Sequence, residues 1–455
     1  MIIAGLDIGT TSISAIVIES DTGEVLESVT IPNQAGQKGR HTFEKLQDPE
    51  EIVSISTNIL DKIIKKHNPK SIGLTGQMHG ILYVDENGLA VSPLITWQDG
   101  RGEQSINDSD ISYTQVLTNR VDELSNGAQY SPLASGYGAV THFYNSINTL
   151  IPPKATEFCT IQCYVAMRLC NRKTALLHAS DASSFGLYDL QKACFAQDAI
   201  IAGEMDFHFF PDTTTDNAIM GSYNNIPISI GIGDNQASFL GTVKDAKNSV
   251  LVNIGTGSQI SLLSDSCFAN APIEARPFIN KEFIQVGASL CGGESYALLN
   301  EFYSQVVKMA TGENTEKLYE KMNDAALAYI DETEKLAVST LFRGTRQDSS
   351  VRGKITNIST ANFTPQMLTL GFLEGVVNAL WDMYLIMEPD KKRSILVGSG
   401  NAIRNNPALR KILEARFGLE LLIPTHKEEA AFGAAIFGYD SAFDAAQTEQ
   451  CIKYL

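Results

Sequence analysis

The chain has 455 residues, of which 44% are apolar and 19% charged, and it contains 35 Gly and 15 Pro. This composition is typical of a globular protein, and it excludes a collagen, a coiled coil and a wholly disordered chain. Its 35 Lys and Arg against 52 Asp and Glu give a net charge of −17, which argues against broad, non-specific binding to nucleic acid or to an anionic membrane. An anionic ligand therefore needs a locally prepared site.

Membrane, targeting and metal signals are weak in this sequence. The longest apolar stretches are interrupted by Glu374, Asn378 and Asp382, so no run is expected to reach the ~18 residues that span a bilayer. The N-terminus has no basic leader before Asp7, and we expect a cytoplasmic protein. Seven Cys without a CxxC pair and seven His without an HExxH motif favour unpaired thiols over disulfides or structural zinc.

The first forty residues predict three strands. Ile2–Ile8 is almost wholly apolar, Ile13–Ile18 follows a Gly-Thr-Thr-Ser turn, and Asp21–Gly23 turns into Glu24–Ile31. Apolar runs that are joined by short turns in this way predict an antiparallel meander.

A helix and another strand follow the meander. The helix begins after Asp48, a typical N-cap residue, with Pro49 at its first position and Ile recurring every three to four residues from Ile52 to Ile63. Ser71–Thr75 then predicts a strand that ends in a polar loop.

Two distant segments of the chain resemble each other. Leu6–Ile13 and Val252–Gln259 both place a hydroxyl-rich Gly-Thr turn between two predicted strands. Each segment opens a stretch of ~200 residues, which is an ordinary domain size. We therefore predict two domains, residues 1–228 and 229–455.

The C-terminal part predicts a core helix and a final α/β unit. Thr364-Pro365 begins a long helix whose apolar side indicates core packing: Leu368, Phe372, Val376, Leu380 and Met383. The remaining predicted elements are the strand Ile395–Val397, the turn Gly398–Asn401, the helix Pro407–Phe417, the strand Leu419–Ile423 and a last helix that carries Glu428–Ala435. Small residues in the last helix allow close packing.

Two Gly-Thr turns and one Gly-Ser-Gly-Asn turn are candidate phosphate sites. The sequence has no GxxxxGK[ST] motif, and each GxG lacks the third Gly of the dinucleotide fingerprint. Gly lets backbone N–H groups approach phosphate oxygens, and Thr or Ser hydroxyls add uncharged donors. An ordinary tight turn explains each of them singly, whereas the set as a whole favours a polyphosphate site gripped by two hairpins.

Two carboxylates stand in unusual sequence contexts. Asp7 ends an otherwise apolar strand, where an ionised group is costly unless it is compensated. Mg²⁺, reached directly or through water, would compensate it and is needed in phosphoryl transfer. Asp234 follows Gly231–Gly233 between apolar segments, where it can accept the proton of a substrate hydroxyl. For both residues a turn cap is the alternative interpretation.

Polar and aromatic residues cluster on two loops that follow strands. Gln77 and His79 lie on one loop, and Trp97 and Asp99 lie on the other. A sugar presents hydroxyls at its edge and C–H groups on its face, so amide, imidazole and carboxylate groups beside an indole suit it. A satisfied loop histidine is the alternative for His79 alone.

Together these motifs resemble the FGGY carbohydrate kinases. The match runs in order through Asp7–Ser12, Gly76–Gly80, Gly233–Gln236, Gly255–Ser258 and Gly398–Asn401. The resemblance implies an α/β fold of two actin-like (ribonuclease H-like) ATPase domains with a mixed sheet each and an active-site cleft between them. It implies that the N-terminal domain binds the sugar and carries the first phosphate hairpin, and that the C-terminal domain carries the second hairpin and binds the nucleoside.

The resemblance also implies roles for individual residues by position. Asp234 would be the general base, and Asp7 would orient Mg²⁺ through water. The residues that contact ATP would be Thr10, Thr11, Ser12, Gly255, Thr256, Gly293, Gly400 and Asn401. The sugar pocket would be lined by Gln77, Met78, His79, Trp97, Asp99 and Asn235, with Tyr137 as a further candidate.

The implied reaction is ATP-dependent phosphorylation of the terminal primary hydroxyl of a ketose. Sedoheptulose, giving the 7-phosphate, is favoured by Ile95–Arg101, Ala134–Gly138, Arg276–Phe278 and Ala288–Gly293. Xylulose or another pentulose or polyol is the alternative, because Gln77–His79 also fits a xylulose kinase. A nucleotide-dependent switch or filament protein is the alternative from another class. We expect a small-molecule partner, no nucleic acid and no membrane; a homodimer stays open.

Overall fold

The computed structural model describes residues 1–106, 110–123, 130–267, 270–345, 348, 350–443 and 451–455. Its strands are β1 Ile2–Ile8, β2 Ser12–Glu19, β3 Val25–Pro32, β4 Gly36–Gln37, β5 Leu46–Gln47, β6 Ile72–Gly76, β7 Leu82–Val84, β8 Leu94–Ile95, β9 Glu157–Cys159, β10 Leu176–His178, β11 Tyr188–Asp189, β12 Cys194–Phe195, β13 Asp212–Thr214, β14 Ile219–Tyr223, β15 Ile226–Gly233, β16 Ser249–Ile254, β17 Ser258–Ser264, β18 Glu274–Pro277, β19 Phe283–Ser289, β20 Ala337–Ser339, β21 Lys354–Thr356, β22 Ile395–Ser399 and β23 Leu421–Leu422.

The helices are α1 Pro49–His67, α2 Tyr113–Asp122, α3 Gly138–Ile147, α4 Ile161–Cys170, α5 Ala179–Ala182, α6 Gln197–Ala202, α7 Asp234–Thr242, α8 Gly293–Thr311, α9 Tyr319–Ala328, α10 Pro365–Met387, α11 Asn401–Asn405, α12 Pro407–Phe417 and α13 Glu429–Phe443.

The chain forms two compact units, and neither is continuous in sequence. The first unit comprises Met1–Lys244, Arg276–Phe283 and His426–Lys453, and the second comprises Asp245–Ala275, Ile284–Thr425 and Tyr454–Leu455. The predicted boundary between residues 228 and 229 falls inside β15, which pairs with β6 on both sides of that point. The first unit therefore keeps β15 whole and adds α7 and the C-terminal helix α13.

The first unit is built on a six-stranded sheet with the order β14-β15-β6-β1-β2-β3. β1, β2 and β3 pair antiparallel, which confirms the predicted meander. β1 and β15 both run parallel to β6. The carboxyl ends of these three parallel strands therefore lie at one edge of the sheet, the edge where ligands bind in α/β folds.

The second unit repeats the same local topology. Its six-stranded sheet has the order β18-β19-β17-β16-β22-β23. β16 pairs antiparallel with β17 through the turn at Gly255–Gly257 and parallel with β22, as β1 does with β2 and β6. The internal repeat predicted from Leu6–Ile13 and Val252–Gln259 is thus a repeat of structure.

Local sequence signals explain where the main helices begin and end. The Asp48 side chain accepts hydrogen bonds from the first-turn N–H groups of α1, Pro49 occupies the first turn, and Asn68 ends the helix in the left-handed conformation. Helix α10 buries Phe372, Val376 and Leu380 in the core of the second unit. Its predicted core role is confirmed.

Within the described ranges, α10 alone is long and apolar enough by length and composition to cross a membrane. The expectation that Glu374, Asn378 and Asp382 interrupt the apolar stretch too often for a membrane-spanning length is therefore wrong for this helix. More than half of its most apolar window, 56%, is buried inside the protein, as expected for the core helix of a folded domain.

Small residues let α13 lie directly on the sheet and on α7. A Cβ atom added to Gly5 of β1 would lie 1.9 Å from the carbonyl oxygen of Ala431, and one added to Gly433 would lie 1.8 Å from that of Ala237. Such contacts are possible only without side chains. The close packing predicted for the last helix is confirmed, and it places α7, which begins with Asp234, against the sheet.

Candidate active site

The two carboxylates singled out in the sequence lie at the same edge of the first sheet. In the strand register Asp7 of β1 stands beside Thr75 of β6, and Thr75 stands beside Ile232 of β15. The Thr75 hydroxyl donates a hydrogen bond to the Ile232 carbonyl (2.8 Å). Asp234 follows at the first turn of α7, so the two carboxylates lie at the carboxyl ends of the two strands that flank β6.

Burial shifts the pKa values of both groups upward, and repulsion from nearby carboxylates adds to the shift of Asp7. Burial, followed by the charges of Asp234 and Glu428, raises the pKa of Asp7 to about 7. Burial also raises the pKa of Asp234 to about 6, against the opposing effects of the Asn235 N–H and the Arg276 guanidinium. Asp234 therefore titrates close to neutral pH and is ionised above it, as a general base requires.

The surroundings of Asp7 fit a hydrated Mg²⁺ ion. Its Oδ1 atom is buried and has no hydrogen-bond partner in the part of the chain that the structure describes. A cation would satisfy this oxygen and offset the repulsion from Asp234 and Glu428. Among the described residues no group of three or more His, Cys, Asp or Glu side chains could hold a metal ion.

Arg276 is a site residue to which sequence reasoning gave no role. Its Nη1 donates a hydrogen bond to Oδ1 of Asn235 (3.3 Å), and its charge favours the ionised form of Asp234. Arg276 comes from a short segment that belongs to the first unit. Its position beside the carboxylate depends on the long-range course of the chain, which the Arg276–Phe278 run, used above only for the substrate, does not indicate.

The first hairpin, Gly9–Thr11 between β1 and β2, is hydrogen-bonded to the predicted sugar residues. The Thr10 hydroxyl donates to Oε1 of Gln77 (3.1 Å) and accepts from Nε1 of Trp97 (3.0 Å). Gln77 is buried and donates through Nε2 to Gln47 (2.9 Å), which donates in turn to the Thr10 carbonyl (2.8 Å). The predicted residues Thr10, Gln77 and Trp97 therefore lie together in one hydrogen-bonded group. Gln47 also belongs to this group, although the sequence did not predict a role for it.

Met78 and His79, the other predicted residues of the Gln77 loop, have different neighbours. A Cβ atom added to Gly233 would lie 2.7 Å from Sδ of Met78, so Met78 packs on the backbone just before Asp234. The His79 ring stacks on Tyr137, with 4.0 Å between ring centroids. His79 has a φ of 73°, a left-handed conformation that costs energy for this residue type and is often found at functional sites.

Trp97 and Asp99, predicted together, have different surroundings. Trp97 is 46% exposed, so a face of its indole is accessible to a sugar. Asp99 is buried, and its two oxygens accept from the Arg101 guanidinium (2.7 and 3.1 Å) and from the N–H groups of Lys45 and Arg101 (3.0 Å each). This bidentate pair anchors the loop, and it leaves little capacity for a sugar hydroxyl on Asp99.

Thr10 and Thr11 also line a cavity of about 670 Å³ in the first unit. Three cationic residues and one carboxylate from the chain before α1 line this cavity: Lys38, Arg40, Lys45 and Glu44. Ser12 opens β2 and is half-buried. On a protein with a net charge of −17, the hairpin thus has a locally basic neighbourhood, as an anionic ligand would need.

The second hairpin, Gly255–Gly257 between β16 and β17, forms one wall of a cavity of about 600 Å³ in the second unit. Four predicted nucleotide residues line this cavity together: Gly255, Thr256, Gly293 and Asn401. Its apolar wall consists of Leu373, Val376 and Leu409, and its further polar groups include Tyr296 and Asn323. An apolar wall with a few amides and a Gly-Thr turn at one side suits a nucleoside with phosphates.

Gly400 has a structural role beside this cavity. Its φ of 89° favours glycine, and an added Cβ atom would lie 2.5 Å from the carbonyl oxygen of Ile254. Gly400 therefore lets the turn after β22 pass directly against the end of β16, and α11 begins at Asn401.

Comparison with known proteins identifies the family. Residues 2–241 match the N-terminal domain of the FGGY family of carbohydrate kinases. The chain belongs to this family. It is therefore a carbohydrate kinase, with an α/β fold of two actin-like domains.

Relatives match over nearly the whole chain. The sedoheptulokinase of Mus musculus is 26% identical, over 95% of this chain and 96% of its own length. The gluconokinase of Bacillus subtilis is 25% identical, over 95% and 86%. Among solved structures, the xylulose kinase of Lactobacillus acidophilus has a TM-score of 0.83 at 15% identity, over 100% of this chain and 92% of that one. This last likeness concerns the fold.

Proposed function

We propose that this FGGY kinase transfers the γ-phosphate of ATP to the terminal primary hydroxyl of sedoheptulose and forms sedoheptulose 7-phosphate. The observation that carries the proposal is the position of Asp234, in the first turn of the helix that follows β15, at the edge of the sheet where the Gln77–His79 loop also begins. The similarity to a mammalian sedoheptulokinase over 95% of the chain supports this ketose among the substrates of the family.

Asp234 is the general base in this proposal. Its carboxylate accepts the proton of the attacking hydroxyl, which is efficient because its pKa lies close to the operating pH. The Arg276 charge favours the ionised form of the carboxylate, and the Asn235 amide, whose Oδ1 accepts from Arg276, binds a sugar hydroxyl. Proton transfer of this kind contributes about 10²–10⁴-fold to a rate.

The sugar is held by the loops that follow β6 and β8. Trp97 offers its exposed indole to the C–H face of the ketose, and His79, held against Tyr137, offers its imidazole to a hydroxyl. Met78 forms an apolar wall next to the base. Positioning by these groups supplies much of the rate of phosphoryl transfer, because little covalent work falls to the protein.

Each unit carries residues that we assign to ATP: the Gly9–Thr11 hairpin in the first unit, and the Gly255–Gly257 hairpin with its cavity in the second. The backbone N–H of Thr10 and the hydroxyls of Thr11 and Ser12 on the first hairpin donate to phosphate oxygens, as do Gly255 and Thr256 on the second; the Thr10 hydroxyl already donates to Gln77. Gly293 and Asn401 line the nucleoside cavity. Asp7 would hold Mg²⁺ through water, and the ion would neutralise charge on the phosphates. We further propose that the enzyme acts in the cytoplasm.

An ADP-release screen tests the substrate assignment. The purified enzyme with ATP and Mg²⁺ is given sedoheptulose, xylulose, ribulose, fructose, gluconate or glycerol, and kcat/KM is measured for each. We expect sedoheptulose to rank first. A higher kcat/KM for xylulose or gluconate would overturn the ketose assigned here, and ADP release that no sugar stimulates would overturn the proposed reaction.

A further inference from the structure

One buried segment contacts both the turn that carries Asp234 and the loop that carries His79. This support segment, His178–Phe185, consists of the short helix α5 and one 3-10 turn. Its residues from Ala179 to Phe185 are buried, and Ser180 and Asp181 are wholly inaccessible. No residue of the support segment has a role in the reaction described above.

Ser180 holds the backbone immediately before Asp234. Its Oγ accepts a hydrogen bond from the N–H of Gly233 (3.1 Å). The Nδ1 atom of His178 accepts from the N–H of Ser180 (3.2 Å) and lies 2.8 Å from its Oγ. Since Nδ1 already acts as an acceptor, the Ser180 hydroxyl donates to it, and this orients the hydroxyl oxygen toward Gly233.

Ser184 holds His79 through two contacts. Its Oγ accepts from the His79 N–H (3.0 Å), and its carbonyl oxygen accepts from Nδ1 of the imidazole (2.7 Å). Because a carbonyl oxygen can only accept, Nδ1 carries the proton. The contacts also hold the backbone of His79 in its left-handed conformation, with φ at 73°. This conformation costs energy for a non-glycine residue and persists only when surrounding contacts stabilise it.

Asp181 fixes the support segment to the start of helix α4. Its Oδ1 accepts from Nε2 of Gln162 (2.7 Å), and its Oδ2 accepts from the Thr160 hydroxyl (3.3 Å). A Cβ atom added to Gly231 would lie 2.8 Å from Cγ of Gln162, so this layer packs directly under β15. The support segment is thus linked to the end of β15 twice, through Gln162 under Gly231 and through Ser180 at Gly233.

We propose that Ser180 and Ser184 are positioning residues which hold the base Asp234 and the sugar-contacting His79 in one fixed geometry. The proposal rests on the function proposed above. Positioning to within a fraction of an ångström governs such reactions, and a misplacement of about 1 Å costs about 10²-fold in rate. The two serines act on different partners, so their removal has different kinetic signatures.

Alanine variants separate the two effects. Ser180→Ala removes the acceptor for the Gly233 N–H, and we expect kcat to fall about tenfold with little change in KM for the ketose. Ser184→Ala frees the His79 backbone, and we expect KM for the ketose to rise about fivefold with kcat within about twofold. KM for ATP stays unchanged in both variants.

Ser183→Ala is the matched control, since the Ser183 hydroxyl donates only within the support segment, to the Ser180 carbonyl (3.2 Å). We expect it to behave as wild type. Hydrogen–deuterium exchange gives a readout without turnover: the peptide containing Gly233 exchanges faster in Ser180→Ala than in Ser183→Ala. If Ser180→Ala does not fold, Ser180→Cys replaces the hydroxyl by a weak acceptor of similar size and carries the same test.

Wild-type kinetics and exchange in the folded Ser180 and Ser184 variants would overturn the inference, as would equal losses in Ser183→Ala. Either result with an active wild-type enzyme leaves the proposed function intact. A wild-type enzyme that no sugar stimulates would overturn the proposed function instead, and the exchange comparison then still decides whether Ser180 holds the Gly233 turn.

Discussion

Asp7 and Asp234 share one strand edge, but their surroundings give them different tasks. Asp234 has the Arg276 guanidinium and the Asn235 N–H to favour its charge, whereas Asp7 has the charges of Asp234 and Glu428 against it. The first carboxylate is thereby suited to accept a proton near neutral pH, and the second is suited to a cation. Environments that separate the pKa values of neighbouring groups are typical of active sites.

The pH dependence of kcat/KM reports on Asp234. We expect kcat/KM to fall with decreasing pH through an apparent pKa near 6, the value for Asp234, because the protonated carboxyl cannot act as a base. Arg276→Gln removes a positive charge that favours the ionised form, so this limb should move to higher pH. Arg120→Gln, at a surface ion pair with Glu204, is the control. A limb that stays in place or moves to lower pH in Arg276→Gln would contradict the electrostatic role of Arg276.

The stability of the protein reports on Asp7. Its pKa is raised to about 7, so the folded state binds this proton more tightly than the unfolded state, and the contribution to stability falls as pH rises from about 4 to 7. Asp7→Asn should therefore increase the free energy of unfolding at pH 8 by about 1–3 kcal/mol, and by less at pH 5. Chemical denaturation at the two pH values measures this difference.

Mg²⁺ provides the control for the Asp7 prediction. The ion with ADP should stabilise the wild-type protein more than Asp7→Asn, since the variant lacks the carboxylate that a hydrated cation would contact. If Asp7→Asn were less stable than wild type at pH 8, the charged form of Asp7 would not be unfavourable in the folded state. If the variant gained the same stability from Mg²⁺ and ADP as wild type, Asp7 would not contact the hydrated cation.

Single residues were predictable where a local contrast marks them. Asp7 and Asp234 stand out as carboxylates at the ends of apolar segments. The structure places both at the edge of the sheet where the carboxyl ends of β1, β6 and β15 lie. Asp99 also stands out in the sequence, but both of its oxygens accept hydrogen bonds from the Arg101 guanidinium. The sequence alone does not distinguish a carboxylate that binds a sugar from one that pairs with an arginine two residues away. Arg276 has no local contrast, and its place depends on the long-range course of the chain.

Elements with strong local signals were predicted with their bounds. β1, α1 and α12 have an apolar run or period together with a cap or turn at each end, and these signals agree with the tertiary structure. The last predicted strand, Leu419–Ile423, is reduced to the two residues of β23, which pair with β22 at the edge of the sheet. An edge strand is paired on one side only, so an apolar run does not fix its length.

Helix α13 is the element whose packing positions α7. Gly433→Ala should destabilise the protein and lower kcat, because the new Cβ atom would lie 1.8 Å from the Ala237 carbonyl oxygen of α7 and would displace the helix that starts with Asp234. The helix propensity of Ala alone would give about 1 kcal/mol in the opposite direction. Thermal unfolding and kcat are the measurements.

Gly36→Ala is the control for that clash, since nothing lies within 4 Å of a Cβ atom added at Gly36. It should unfold at the wild-type temperature and keep wild-type kcat. If Gly433→Ala were as stable and as active as Gly36→Ala, the close approach of α13 to α7 would not matter for the position of the base.

At the scale of the molecule, the division of the chain differs from a simple halving. The internal repeat indicates two related units and marks where each unit starts. It does not show which segments from later in the chain pack with the first unit. The segments Arg276–Phe283 and His426–Lys453 both belong to the first unit. They bring Arg276, Glu428 and α13, none of which a boundary near residue 228 would include.

This organisation predicts the behaviour of a shortened chain. A chain that ends at residue 228 lacks α7, α13 and most of the β15 register with β6, so the face of β1 under α13 would be exposed to water. We expect it to give no cooperative unfolding transition, whereas the full chain does. A cooperative transition near that of the full chain would show that α7 and α13 are dispensable for the first unit.

The most direct test of the account is the rate of sedoheptulose-dependent ADP formation in Asp234→Asn. The substitution keeps the size of the side chain but removes the proton acceptor, so we expect turnover to fall by at least about 10²-fold, while the Kd for ATP remains that of the wild-type enzyme. Asp212→Asn, at an exposed position of the same unit, should retain full activity. Wild-type turnover in a folded Asp234→Asn would contradict the assignment of Asp234 as the base.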